Sequence, residues 1–109
     1  MNNKKGTEIK IKNLIKKHKI LVFMKGEKTK PACSFSSKVI EILNNFSIDY
    51  HTINVLKDNN IKEQIKKYSK WPTIPQIYID QEFIGGADII VNLYKTSKLE
   101  EILEKTLNS

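Results

Sequence analysis

The chain has no arginine, one cysteine, three prolines, four glycines and no apolar run longer than five residues. Each shortage removes a class of protein. The longest apolar run, Ile20-Leu21-Val22-Phe23-Met24, falls far short of the roughly 20 residues needed to span a bilayer, so no membrane segment is expected. With Cys33 as the lone cysteine, no disulfide forms within the chain, a disulfide scaffold is excluded, and a reducing, cytoplasmic setting is expected. Arginine is the usual bidentate reader of guanine and phosphate, so its absence counts against a nucleic-acid-binding module. The charge alone argues the other way: nineteen basic residues against twelve acidic ones give +7, which favours anionic partners. Asparagine and isoleucine are abundant beside lysine, as AT-rich coding produces, and part of the charge is read as that drift. Met1 to Lys5 lead into no apolar stretch, so no secretory signal is expected. The lack of arginine argues against an intact transit peptide. A mitochondrial matrix or plastid location is the alternative if one has been removed.

What remains is an apolar fraction of 39% in 109 residues, enough for one modest core. No repeat, low-complexity tract or linker divides residues 1–109, so one domain is expected. Glu8 to His18 carries Ile11, Leu14 and Ile15 on one face and predicts a helix. Ile20 to Met24 reads as a buried strand and Lys25 to Pro31 as a polar loop. Phe35, Val39, Ile42, Leu43 and Phe46 fall at helical spacing with one face inward. Asp49 to Val55 is a second strand. Asn60 with Glu63 has capping-box character before a helix carrying Ile61, Ile65 and Tyr68. Gln76–Ile79 and Glu82–Ile84 flank Asp80-Gln81 as a hairpin. Asp88 is placed to cap a helix through Tyr94, and Ser97 with Glu100 to open a last one with Leu99, Ile102, Leu103 and Leu107. A strand-helix-strand start demands a parallel crossover and the late hairpin is antiparallel, so a mixed sheet in an α/β layer architecture follows.

Cys33 sits at a loop-to-helix junction, where unpaired N–H groups and the helix dipole stabilise an anion. Lys25, Lys28 and Lys30 add positive potential. Such surroundings lower a thiol pKa and yield the thiolate, which is both nucleophile and metal ligand. A buried cysteine acting as a small hydrophobe is the plainer alternative. The loop position, the lysines and Pro31 favour the thiolate. Ser36 occupies the position where a Cys-x-x-Cys motif carries its resolving thiol, so a second thiol must come from outside. Trp71-Pro72-Thr73-Ile74-Pro75 is a proline-punctuated turn that can leave backbone groups free for a ligand. Trp71 by itself reads as a packing residue. Gly85-Gly86-Ala87-Asp88 is either a plain turn or a set of N–H groups for a carboxylate. His18 and His51 are far apart in the chain, with no metal-ligand cluster around either, and read as structural or solvent-facing.

Taken in order, Phe23-Met24-Lys25-Gly26, Pro31-Ala32-Cys33-Ser34-Phe35-Ser36, Trp71-Pro72-Thr73-Ile74-Pro75-Gln76 and Gly85-Gly86-Ala87-Asp88 resemble the monothiol glutaredoxins, with similarity from about Glu8 to Leu107. The resemblance implies a thioredoxin-like α/β fold with a four-stranded mixed sheet flanked by helices, residues 1–109 forming a single glutaredoxin domain. It further implies that Cys33 is both the reactive sulfur and the metal ligand. Lys25 and Lys62 would pair with the glycine carboxylate of glutathione. Ile74, before a cis-Pro75, would pair its backbone with the cysteinyl unit, and Gly86, Ala87 and Asp88 would take the γ-glutamyl end. Phe35 would pack beside the thiol. A [2Fe–2S] cluster needs four ligands, usually thiolates. Two chains would give two and two glutathiones the rest, in a cluster-bridged homodimer that hands the cluster to apo acceptor proteins. A BolA-type protein is a further partner the family implies.

Three positions depart from the family pattern. Ser34 stands for glycine, which is costly only if the backbone there needs a positive φ. Ala87 stands for a common cysteine, and Lys62 for an arginine, losing bidentate geometry. The leading expectation is thus a glutathione-binding iron–sulfur carrier. The alternative is a glutathione-dependent thiol-disulfide oxidoreductase, in which Cys33 attacks a mixed disulfide and glutathione resolves the adduct. A basic nucleic-acid-binding module is the weakest of the three.

Overall fold

The fold was analysed in a computed structural model that describes residues 3–108. Strand β1 (Ile20–Met24) is apolar and buried at all five positions, as a strand between two layers must be. It pairs in parallel with β4 (His51–Asn54), from Leu21↔His51 to Met24↔Asn54. On its other side it pairs antiparallel with β5 (Gln76–Ile79), and β6 (Glu82–Gly85) follows, giving the order β4-β1-β5-β6. The two-residue periodicity then sorts the core. Ile20, Val22, Met24, Ile77 and Ile79 pack with residues of α2 (Ser34–Leu43), α4 (Ala87–Lys95) and α5 (Lys98–Leu107). Leu21, Phe23 and Tyr78 point the other way, onto Ile11 and Ile15 of α1 (Asn3–Lys17) and Ile61 and Ile65 of α3 (Asn59–Ser69). The expected four-stranded mixed sheet, covered by helices on both faces, is present.

Local differences have local causes. Helix α1 begins at Asn3 rather than Glu8, because the apolar pattern marks only its buried half. Gly26 to Pro31 is not an open loop: β2 (Gly26–Glu27) and β3 (Lys30–Pro31) pair antiparallel. Gly26 makes this possible, with φ at +94° and a position where an added Cβ would collide with main-chain atoms of Lys30 and Ala32. Asp49 and Tyr50 precede β4, and Val55 belongs to a 3₁₀ turn, Val55–Lys57. Phe35 points outward at 60% exposure, and Tyr68 is also exposed.

The helix caps differ from the expected boxes. Asp58, not Asn60, caps α3, accepting the N–H of Ile61 at 3.2 Å. Asp88 does not cap α4, since Gly86 holds that position and Asp88 lies in the first turn, where its charge still suits the dipole. Ser97 does stand at the α5 cap, but in a left-handed conformation (φ 63°) without a side-chain bond. The Asp80-Gln81 hairpin is as expected. Both residues have positive φ (51° and 68°), the pattern of the two-residue turns that match strand twist.

Candidate functional site

Cys33 caps α2 with an extended backbone (φ −150°, ψ 154°). Its Sγ accepts the Ser36 N–H at 3.3 Å and lies 3.3 Å from Ser36 Oγ. Partial burial by itself pushes the thiol up. The Ser36 hydroxyl, the Ser36 and Phe35 N–H groups and the Lys25 charge outweigh that burial and hold Cys33 below the ordinary cysteine value. The side chain is neither sealed in the core nor fully exposed. Ser34, next in the chain, is exposed and is not among the non-glycine residues with positive φ. Replacing the family's glycine there therefore carries no backbone strain.

Beside the sulfur runs a groove of about 570 Å³, lined by Lys25, Phe35, Lys66, the Trp71–Pro75 segment, and Gly86 through Ile89. That size is typical of a small-molecule site. One wall is the β1–β2 junction. Lys25 accepts the Ala32 N–H on its carbonyl at 2.9 Å, and the Gly26 N–H donates to Asn54 Oδ1 at 2.9 Å. The opposite wall is the Trp71–Pro75 segment, whose Ile74–Pro75 bond is cis, as the resemblance implied. Gln76, fully buried, holds that segment: its Nε2 donates to the carbonyls of Trp71 (3.1 Å) and Thr73 (3.3 Å), and its Oε1 accepts the Tyr78 hydroxyl at 3.2 Å. Among the described residues the main-chain N–H and C=O of Ile74 enter no hydrogen bond. The floor at the far end is Gly86, where an added Cβ would meet Trp71 Nε1 at 3.2 Å and the Pro75 carbonyl at 3.3 Å.

Of the residues singled out from the sequence, Lys25, Ile74, Gly86, Ala87 and Asp88 line this one groove. Cys33 lies beside it through Phe35. Lys62 is on α3 but not in the lining, whereas Lys66 is, one turn further along the same face. Lys66 Nζ also lies 3.5 Å from Glu63 Oε2, an exposed pair that restrains it little. Trp71 is more than a packing residue. It lines the groove while its ring centroid stands 5.7 Å from that of Phe83. His18 and His51, distant in sequence, are stacked with centroids 3.9 Å apart and an interplanar angle of 6°. No group of three metal-ligating side chains occurs among the described residues.

Three contributors were not legible as such. Lys66 had a signal in its four-residue offset from Lys62. Gln76 had one as a polar residue opening an otherwise apolar strand. The Ser36 hydroxyl had none beyond its place in the Cys-x-x-Ser run.

A cysteine capping a helix with its thiol held below the ordinary value, a cis-proline segment lining the groove beside it and a β4-β1-β5-β6 mixed sheet define a thioredoxin-like fold with a single cysteine at its site. The comparisons agree. A profile of the glutaredoxin family matches residues 20–84. A monothiol glutaredoxin of Synechocystis sp., designated ycf64-like, is 48% identical over 103 residues, covering 94% of this chain and 96% of that protein. The solution structure of reduced poplar apo GrxS14 is 40% identical with a TM-score of 0.81, covering 94% of each chain. The crystal structure of a buckwheat glutaredoxin–glutathione complex has a TM-score of 0.84 at 22% identity, covering 94% of this chain and 92% of that one, and speaks for the fold alone. The chain belongs to the monothiol glutaredoxin family.

Proposed function

We propose that the protein binds glutathione in the Cys33 groove and, as a homodimer, carries a [2Fe–2S] cluster to apo iron–sulfur acceptor proteins, with a BolA-type protein as a second partner. The observation that carries the reading is the convergence of a thiolate-prone Cys33 and a groove with a cation at one end and a first helical turn at the other. Glutathione has matching features. Its glycine carboxylate would meet Lys25 and Lys66, with Lys62 in support from the same helix face. Its cysteinyl unit would use the free N–H and C=O of Ile74 as a short antiparallel strand, the usual way an extended peptide adds to a sheet. Its γ-glutamyl carboxylate would sit at the α4 N-terminus, where the Gly86–Asp88 N–H groups point outward, while Asp88 would take the ammonium group.

The residues present fit a cluster as cargo. Each chain offers one accessible sulfur held toward its anionic form, so two chains and two docked glutathiones supply the four thiolates a [2Fe–2S] centre requires. Ser34 adds a small hydroxyl beside Cys33 without distorting the helix start. Because half of the ligands are exchangeable small molecules, release to an acceptor needs no unfolding. A lone thiol depends on a reducing pool, and the cytoplasm is the compartment this reading places it in. The test is anaerobic reconstitution with iron, sulfide and glutathione. The expected product is a coloured dimer that bleaches and dissociates when glutathione is withdrawn. A colourless monomer overturns the reading.

The lowered Cys33 pKa supports a second activity at the same sulfur. The Cys33 thiolate would attack the glutathione sulfur of a mixed disulfide, forming a Cys33–glutathione disulfide and expelling the other protein's thiolate. A second glutathione thiolate would then attack that adduct, forming glutathione disulfide and returning the Cys33 thiolate. Turnover with a glutathionylated peptide, abolished by Cys33→Ser, is the expected result. Its absence would leave the carrier role alone.

A further inference from the structure

The Cys-x-x-Ser run explains the missing second thiol but not why a serine stands there. Ser36 is fully buried, and a buried hydroxyl is retained at a cost unless its partners use it. Its oxygen touches two separate segments. The Lys25 main-chain N–H donates to Ser36 Oγ at 3.1 Å, across eleven residues of sequence, and Cys33 Sγ lies 3.3 Å from the same oxygen. The other polar group of the Lys25 main chain, its carbonyl, is fixed by the Ala32 N–H at 2.9 Å. Both attachments of Lys25 therefore run to residues flanking Cys33. The Ala32 bond needs no particular side chain, whereas the Ser36 bond exists only because of the hydroxyl. A hydroxyl has one proton and two lone pairs, so the oxygen holds the Lys25 N–H and still has bonding capacity toward the sulfur.

We propose that Ser36 is a positioning residue whose hydroxyl clips the Lys25 main chain to the Cys33 sulfur and so fixes the reach from the groove's cation to the reacting atom. The proposal rests on Lys25 and Cys33 serving one docked glutathione, and it assigns Ser36 a role distinct from the absence of a thiol. A space-filling serine makes the opposite forecast. If only volume mattered, Ser36→Ala would be benign and the extra methyl of Ser36→Thr would be the harmful change. If the hydroxyl matters, alanine is the harmful change and threonine restores function.

The experiment uses the full-length, isotopically labelled, reduced protein in three forms: unaltered, Ser36→Ala and Ser36→Thr. Amide hydrogen exchange is read without ligand, and glutathione affinity by titration of amide shifts. In Ser36→Ala the Lys25 amide should exchange about tenfold faster, as loss of one hydrogen bond implies, while the amides of Leu21 to Phe23 keep their protection. Glutathione should bind severalfold more weakly, and Ser36→Thr should recover both values. Unchanged Lys25 exchange in Ser36→Ala overturns the clip, and faster exchange with unchanged affinity overturns the positioning role. If threonine prevents folding, those two alanine readings decide alone. If the unaltered protein shows no glutathione shifts, the proposed function fails instead, and Lys25 exchange still tests the clip.

Discussion

The two walls of the groove are held in different ways. The Lys25–Cys33 wall is held mainly by its own backbone: β2 pairs with β3, Lys25 accepts from Ala32, and Gly26 occupies a conformation that side-chain-bearing residues avoid. The Trp71–Pro75 wall has no such ladder. Its first residue is tied back to α3, the Trp71 N–H donating to the Lys66 carbonyl and to Ser69 Oγ. Ile74 is buried in the core, and the Trp71 and Thr73 carbonyls are held by one buried side chain, Gln76. The first wall therefore tolerates change in most of its side chains but not in its backbone. In the second, two carbonyls depend on the one Gln76 amide. A ligand bound between them bridges a rigid edge and a suspended one, so affinity should respond more to the second while stability responds more to the first.

Breaking the first wall should have the largest effect. Gly26→Ala forces an alanine to φ near +94° and drives its Cβ into the main chain of Lys30 and Ala32, which should cost at least about 2 kcal/mol in urea denaturation. Equal stability of the variant and the parent would show that the hairpin is dispensable. Breaking the second wall through Gln76→Leu takes the Gln76 partner from the Trp71 and Thr73 carbonyls and removes the Gln76 acceptor of the Tyr78 hydroxyl, at a cost of about 1–2 kcal/mol. Glutathione affinity, read by calorimetry, should fall further than after any Lys25–Cys33 side-chain change that spares Lys25, Cys33 and Ser36.

Gly86→Ala sharpens the contrast from the groove floor. Its Cβ would press on Trp71 Nε1 at 3.2 Å and the Pro75 carbonyl at 3.3 Å, so Trp71 must tilt. The stability loss should stay near 1 kcal/mol, while Trp71 fluorescence and glutathione binding both change. An unmoved fluorescence spectrum would contradict the geometry. The smallest effect lies away from both walls, at the stacked His18–His51 pair, which sits at the end of β4 opposite Asn54. Partial burial, followed by the charges of His18, Lys28 and Lys17, holds His51 below the ordinary histidine value. A base whose folded-state pKa is lowered takes up protons more readily when unfolded. Stability should therefore fall as pH drops through about 6.5 and level off below the folded value. His51→Gln should flatten that dependence in urea midpoints measured from pH 8 to 5, leaving glutathione binding at neutral pH untouched.

The sheet was legible because its signals are short-range and redundant. Ile20–Met24 is apolar throughout, and Asp80-Gln81 sits between two apolar runs at hairpin spacing. Cys33 was legible as a site from its place at a helix start behind a lysine-bearing loop, although of the three lysines only Lys25 acts on the thiol, while Lys28 turns to the Tyr50 carbonyl and ring. Capping is ambiguous in the sequence where several polar residues compete: Asp58 lies two positions before Asn60, and only the direction in which the chain leaves the 3₁₀ turn decides which side chain reaches the Ile61 N–H. Helical spacing puts Phe35 on one face with Val39, Ile42 and Leu43, and those three are buried, but Phe35 lies in the first turn of α2, beyond the core, where it is exposed and lines the groove.

Composition and local pattern by themselves determined one thiol, a mixed sheet and a cysteine at a helix start, since each follows from residue types within a few positions of one another. Only the tertiary structure decided which lysine enters the groove, what the Ser36 and Gln76 side chains hold, and that His18 meets His51. Ser36 reaches Lys25 eleven positions away, and His18 meets His51 from a distant strand. The groove lysine depends on one turn of helix, and the Gln76 bonds, though local, depend on how the Trp71–Pro75 segment turns. Hydrogen bonds and ring contacts act over about 3–4 Å, so a separation along the chain carries no record of them until packing brings the atoms together.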